Sequence, residues 1–308
     1  MRTLFLLSIG LLTCLALSAQ QDAMFTRYMF NSMYLFNNPA YSGSHGYWTT
    51  NALYRTQWVR FDGAPQTIYL GAEGTIAGDR AGLGFSLFHD RIGLDRISDF
   101  SANYAYHIPT GDDGTFSIGI KAGAFFYRSL LSQAVVWDPL DPVYAGGDQK
   151  GIVPRAGLGF YYYTPDFFAG ISAPTLVAID KRSDFNLNLD RSGILRRHYY
   201  LYSGYVFHLD NGIDLKPSVL LKYQPQAPLQ ADLNLNIWFK DLFSCGFSYR
   251  TNDAVSVMVE IPLGKKLSVG YAFDNTISNL QQVSAGTHEI MLGYNFTDEV
   301  QWKDPRRF

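Results

Sequence analysis

Along residues 229–239, apolar and polar side chains take turns. Leu229, Ala231, Leu233, Leu235, Ile237 and Phe239 occupy the odd positions; Gln230, Asp232, Asn234, Asn236 and Trp238 occupy the even ones. A β-strand points successive side chains to opposite faces, whereas a helical period near 3.6 would mix the two sets. The segment is therefore a strand with one greasy face and one wet face. The same alternation recurs at Leu83, Phe85 and Leu87 against Gly82, Gly84 and Ser86, and at Val255, Val257, Val259 and Ile261 against Ser256 and Glu260. It recurs again at Ile213, Leu215, Val219, Leu221 and Tyr223 against Asp214, Lys216, Ser218 and Lys222, and at Ile290, Leu292, Tyr294 and Phe296 against Glu289, Gly293 and Asn295. In all, the pattern predicts about fourteen strands: 47–58, 66–76, 80–89, 96–108, 115–128, 152–163, 166–172, 197–208, 213–223, 229–239, 242–250, 254–261, 266–273 and 287–296. Strands of a parallel sheet packed by helices would be apolar on both faces, so the alternation argues against that architecture.

The connections decide what the greasy faces touch. Numbered from the first strand, the even connections are short, such as Ala77-Gly78-Asp79, Thr164-Pro165, Asp210-Asn211-Gly212 and Lys240-Asp241. The long ones, 129–151, 173–196 and 274–286, all fall on odd positions. In an up-and-down barrel, odd connections share one rim and even ones the other, and outer-membrane barrels carry short periplasmic turns and long outer loops. A soluble sandwich has no reason to sort its loops by parity. The expected fold is all-β, a transmembrane up-and-down barrel of antiparallel strands over 47–296, with a pre-barrel segment over 20–46 and a tail over 297–308. Both termini are expected on the periplasmic side.

Composition agrees. Tyr (21) and Phe (22) bring the aromatic share of this 308-residue chain to 16%, and Gly contributes 28, a bias suited to strands, turns and interfacial girdles. A net charge of −2 points to no nucleic acid. Residues 1–19 look like a secretory signal: Arg2, an apolar run from Leu4 to Leu17, and a small-residue exit at Ala16-Leu17-Ser18-Ala19. Lipoprotein processing at Cys14 is the rival, against which Leu11-Leu12-Thr13 lacks a small residue before the cysteine. Without the signal only Cys245 remains, so no internal disulfide forms. The segment 20–46 is too aromatic for a solvated linker and is expected either to plug the lumen or to pack beneath its mouth.

On this fold Lys216, Lys222, Gln230, Asp232, Glu260 and Glu289 face the lumen, because charge on a lipid-facing wall is costly. They either dock a partner segment or line a path, or they cross-brace the barrel as ion pairs. Exchanging Asp232 for Asn is expected to leave assembly intact. Chemistry finds little footing. The histidines at 45, 89, 107, 198, 208 and 288 show no metal-ligand spacing, there is no Gly-x-Ser-x-Gly elbow, and His89-Asp90 lacks a third group to orient it. Asp138, Asp141 and Asp148 do not follow a calcium-loop spacing and read as a solvated acidic loop. No cofactor, metal or enzymatic activity is expected.

The stretch Arg55-Thr56-Gln57-Trp58-Val59-Arg60-Phe61-Asp62-Gly63-Ala64-Pro65 resembles an element of the PorP/SprF family of type IX secretion proteins, found in Bacteroidetes outer membranes. Tyr28-Met29-Phe30-Asn31 and Asn38-Pro39-Ala40-Tyr41-Ser42-Gly43 look like the same family's opening. Lys216-Pro217-Ser218-Val219-Leu220-Leu221-Lys222-Tyr223, Ser248-Tyr249-Arg250 and Gly286-Thr287-His288-Glu289-Ile290 add matches across the mature chain. Arg60 departs from the pattern where Gly is expected, Thr56 where Asn is common and Ser32 where Pro is common. The resemblance implies an outer-membrane barrel that supports export or retention of a large surface protein, in some members an adhesin of gliding motility. It implies secretion components and that cargo, or its C-terminal domain, as partners, with outer-membrane lipid around the wall. A porin or small-solute channel is the alternative. Within the Arg55–Pro65 element, Arg55, Gln57, Trp58, Phe61, Gly63 and Pro65 are the candidate partner contacts. Alternatively the loop folds inward to constrict the pore.

Overall fold

A computed structural model describes residues 32–111, 113–134, 147–179, 197–209, 212–225, 227–239 and 242–297. A six-residue helix, α1 (Ser32–Asn37), and a 3-10 turn (Pro39–Tyr41) precede the strands. These are β1 (Thr49–Thr56), β2 (Gln66–Ile76), β3 (Ala81–Ile92), β4 (Asp95–Thr110), β5 (Gly114–Ser129), β6 (Gln149–Tyr163), β7 (Phe167–Ala178) and β8 (Tyr199–Tyr205). There follow β9 (Phe207–Leu209), β10 (Ile213–Tyr223), β11 (Gln230–Phe239), β12 (Phe243–Arg250), β13 (Ala254–Leu263), β14 (Leu267–Thr276) and β15 (Thr287–Asn295).

Every pairing is antiparallel and, apart from β8 with β10, between strands consecutive in sequence, and β1 pairs with β15 from Thr49↔Asn295 to Thr56↔His288, which closes the sheet into a fourteen-strand barrel. The extra strand, β9, pairs only with β10, in the register that β8 holds with the same partner, so it extends β8 past a break at Val206. The break has a local cause. It falls opposite Lys216-Pro217, where proline has no N–H for the ladder, while the Val206 N–H keeps the ladder on the other side, to the Asp166 carbonyl at 2.8 Å just before β7.

The alternation read from residues 229–239 becomes two surfaces. On β11 Leu233 is 54% exposed while Asp232 is 1% exposed. Phe247, Val257, Ile290 and Leu292 also lie on the outside, and Glu289, Ser256 and Arg250 on the inside. A wall with large apolar side chains outward and charges inward is inverted relative to a water-soluble barrel and suits lipid.

Short connections (77–80, 111–113, 164–166, 210–212, 240–242, 264–266) share one rim, the short-turn rim. The opposite, long-loop rim carries 57–65, 130–148, 179–198 and 277–286 along with three tighter turns. Several strands run further than their sequence pattern indicates, β7 by the most. Instead of stopping at Ser172, β7 continues to Ala178, because a register shift at Ala156/Leu158 accommodates Pro174 opposite Gly157. Proline is at home in such a bulge.

Candidate functional site

The lumen is filled by the chain's own N-terminal segment. Of the 20–46 stretch, residues 32–46 are described, and they lie inside the ring against β2–β8. Leu35, Phe36, Ala40 and Tyr41 are at most 3% exposed. Phe36 stacks on Phe88 (5.2 Å) and meets Tyr69 edge-on (5.9 Å), in one buried cluster with Leu53, Trp238, Met258 and Met291 from both halves of the wall. Leu35, Ala40 and Tyr41 pack on Tyr161, Phe168, Tyr200 and Tyr202.

Polar wall residues catch the backbone that this segment leaves unpaired. Asn103 donates to the Leu35 carbonyl at 3.2 Å, Lys121 to that of Phe36 at 2.8 Å and Ser117 to that of Ala40 at 2.7 Å. Asn38 donates to the Phe160 carbonyl and to the Tyr202 hydroxyl, both at 3.0 Å, and accepts from the Ala40 N–H. Glu73 accepts from the Gly43 N–H and meets His45 Nδ1 at 2.7 Å. Buried backbone groups need such partners, and this segment has too little regular structure to supply its own. Glycines make the close approach feasible: a Cβ at Gly82 would overlap the Ser42 carbonyl, one at Gly119 the Ala40 backbone, and one at Gly159 the Asn38 side chain. The wall is moulded to the segment.

Towards the long-loop rim, the other side of the lumen carries a chain of charges. Arg55 bridges Asp274 (2.7 Å) and Glu289 (3.0 Å); Arg250 reaches Asp253 (3.0 Å), Asp232 (3.5 Å) and Asp274 (3.6 Å); Lys222 meets Asp232 at 2.7 Å. Six strands and the β12–β13 turn contribute. Of the predicted lumen residues, Lys222, Asp232 and Glu289 join this chain. Gln230 is buried near it, while Lys216 and Glu260 lie buried towards the short-turn rim. Lys216 Nζ stands 5.2 Å from the Trp238 ring centre and 5.7 Å from that of Phe168. The sequence pattern ends this strand at Phe273 and so leaves Asp274 out; β14 runs on to Thr276 and turns the carboxylate inward. A second buried pair, Arg155–Asp99 at 2.6 Å beside Phe36, was likewise missed. Alternation marks such residues as interior but cannot say which of them meet.

The Arg55–Pro65 element divides. Arg55, Gln57 and Pro65 are buried, whereas Phe61 is 45% exposed and Gly63 lies beside it on the surface. The loop runs along the rim rather than into the lumen. Trp58 N–H donates to Thr287 Oγ1 (3.1 Å), Val59 exchanges backbone bonds with Gly286 and Ala285 (2.9 and 2.8 Å), and Gly93 N–H reaches the Gly63 carbonyl (2.8 Å). Trp58 (φ 47°) and Arg60 (φ 78°) take the left-handed conformation, which explains why glycine is expected at position 60.

Asp138 and Asp141 lie outside the described residues. Asp148 is held by Ser132 and Arg128, whose hydrogen bonds, Ser132's foremost, keep its carboxyl below the usual range. His89 and Asp90 sit on opposite faces of β3, His89 with Ser98 and Asp90 with Thr67, so they do not act as a pair. Among the described residues no group of three or more His, Cys, Asp or Glu is placed to hold a metal.

Among solved structures, the chain is similar to TodX carrying the deltaS2S3 mutation, a monoaromatic hydrocarbon channel, at 10% identity over 86% of this chain and 94% of that one, with a TM-score of 0.50. It is also similar to the toluene transporter TbuX of Ralstonia pickettii (11%, 86% and 93%, TM-score 0.47) and to Omp33 of Acinetobacter baumannii (8%, 82% and 99%, 0.46). At such identities the likeness concerns the fold alone. No curated protein matches the chain. The family described as type IX secretion system membrane protein PorP/SprF matches residues 17–294, nearly the whole barrel and its plug, and the chain belongs to that family.

Proposed function

We propose that this barrel serves the type IX system by binding rather than by conduction or catalysis: its surfaces hold secretion components and a large exported surface protein while its lumen stays closed. The observation that carries the reading is the occupied lumen. Leu35–Ser42 sit on a wall shaped by Gly82, Gly119 and Gly159, and the Arg55–Asp274–Arg250–Asp232–Lys222 chain braces the other side of the interior towards the long-loop rim. The long-loop rim would then face outward and offer the Arg60–Gly63 tip, fixed by its bonds to Gly286 and Gly93, as a rigid contact. The short turns and both termini would face the periplasm.

Two measurements test this. Purified full-length protein in planar bilayers should conduct little, and deletion of 20–46 should open a steady conductance. Affinity capture from detergent extracts should recover secretion components or a large surface protein, and Phe61→Ala should weaken that recovery. A large conductance from the intact chain, unchanged by the deletion, would establish the channel alternative instead.

A further inference from the structure

The outer wall is not uniformly convex. A depression of about 680 Å³ crosses it over β14, β15 and β1–β5, away from the lumen. Its shape follows from register. Leu267, Tyr294, Thr50, Ala72, Phe85 and Ala102 are successive cross-strand partners, one row of outward-facing side chains. Small residues at its centre (Thr50, Ala72, with Ala52 alongside) are flanked by Tyr294 and Leu267 on one side and Phe85 on the other, which leaves a trough. Protein atoms on the far side of an empty trough would be missing, and the dispersion energy of its lining would go unrealised.

One end of the trough has a charge. Leu267 opens β14 directly after the short β13–β14 turn, and that turn bears the exposed Lys265. An apolar trough running up the wall from a lysine at the membrane–water boundary matches one ligand chemistry, a hydrocarbon chain joined to an anionic headgroup.

We propose that this trough is a specific seat for a glycerophospholipid of the leaflet at the short-turn rim, with one acyl chain lying over Thr50, Ala52 and Ala72 and its phosphate at Lys265. The site is independent of the lumen and of the binding role proposed above. A seated lipid fills the wall where its own side chains are smallest, and it is held more tightly than the lipid around it.

The test is lipid retention. Full-length protein extracted in mild detergent is exchanged repeatedly, then assayed for phosphorus and by native mass spectrometry. The wild type should keep a stoichiometric phospholipid. Ala72→Phe, which fills the trough, should lose it; Lys265→Glu should release it faster; Leu233→Phe, on the opposite wall, should change nothing. Heat-modifiable gel mobility checks that each variant is folded, and Ala52→Leu replaces Ala72→Phe if that chain fails to assemble. Equal retention by wild type and the filled variants, a wild type that keeps no phosphorus, or a trough occupied by detergent alone would overturn the assignment.

Discussion

Gly82 of β3 lies against the Ser42 carbonyl so closely that no side chain fits between them. A glycine in a strand interior weakens the strand, so its presence here marks the approach of another backbone. Gly82→Val should therefore leave the fourteen-strand ring intact and unseat the plug. The expected result is a barrel that still inserts and shows heat-modifiable mobility, but that conducts in planar bilayers and is cut by protease within residues 32–46. A silent Gly82→Val would mean that the segment occupies the lumen some other way.

Arg55 holds two buried carboxylates that lie 219 and 234 residues further along the chain. Removing one member of a buried ion cluster leaves its partners uncompensated, at a cost of about 3–5 kcal/mol. Arg55→Ala should lower the urea midpoint of the refolded barrel by an amount of that order. Arg55→Lys should not restore it, because an ammonium cannot place two forked N–H groups on two carboxylates.

Neighbouring residues on β11 should fail differently. Leu233→Arg puts a charge on the lipid face, at about 2–4 kcal/mol near the bilayer centre, and should reduce the amount inserted. The alternation leads one to expect that Asp232→Asn leaves assembly intact. The structure adds a cost in stability, since Asp232 is the carboxylate 2.7 Å from the fully buried Lys222. The variant should insert normally yet unfold about 3 kcal/mol more easily, and the pair Lys222→Met with Asp232→Leu should recover most of the loss. Insertion and unfolding are read separately, by membrane fractionation and by denaturant titration.

Arg60 holds φ at 78°, a conformation that costs a residue bearing a Cβ about 1–2 kcal/mol, part of which glycine would regain. Arg60→Gly should stabilise the rim by up to about 1 kcal/mol. If the guanidinium contacts a partner, the same change should weaken capture of that partner, so thermal unfolding and affinity capture should move in opposite directions.

The barrel was legible because a two-residue period over about fourteen segments is hard to produce otherwise, and because loop parity separated lipid from solvent. Residues 32–46 resisted the same reading. Their helix has six residues, too few for a periodic signal, and their conformation is set by wall residues such as Asn103, Ser117 and Lys121 that lie 68 to 85 positions away. The inward glycines were visible as half of an alternation. That they answer to Ser42, Ala40 and Asn38 is a fact about shape, which a linear pattern does not carry. The charge chain was divided in the same way: Lys222, Asp232 and Glu289 were identified as interior, but the meeting of Arg55 with Asp274 depends on how the ring closes.

That closure sets an order of events. The seam joins Thr49–Thr56 to Thr287–Asn295, and the Phe296 N–H continues it to the Trp48 carbonyl at 2.9 Å, a few residues after the plug leaves the lumen. Until the last strand has been made, β1 and β14 are open edges that a bilayer does not tolerate. Insertion must therefore wait for the far end of the chain and end at the seam, with residues 32–46 enclosed as the ring shuts. A chain ending before Thr287 should stay with periplasmic chaperones, its first strand unpaired and its plug without a wall to hold it.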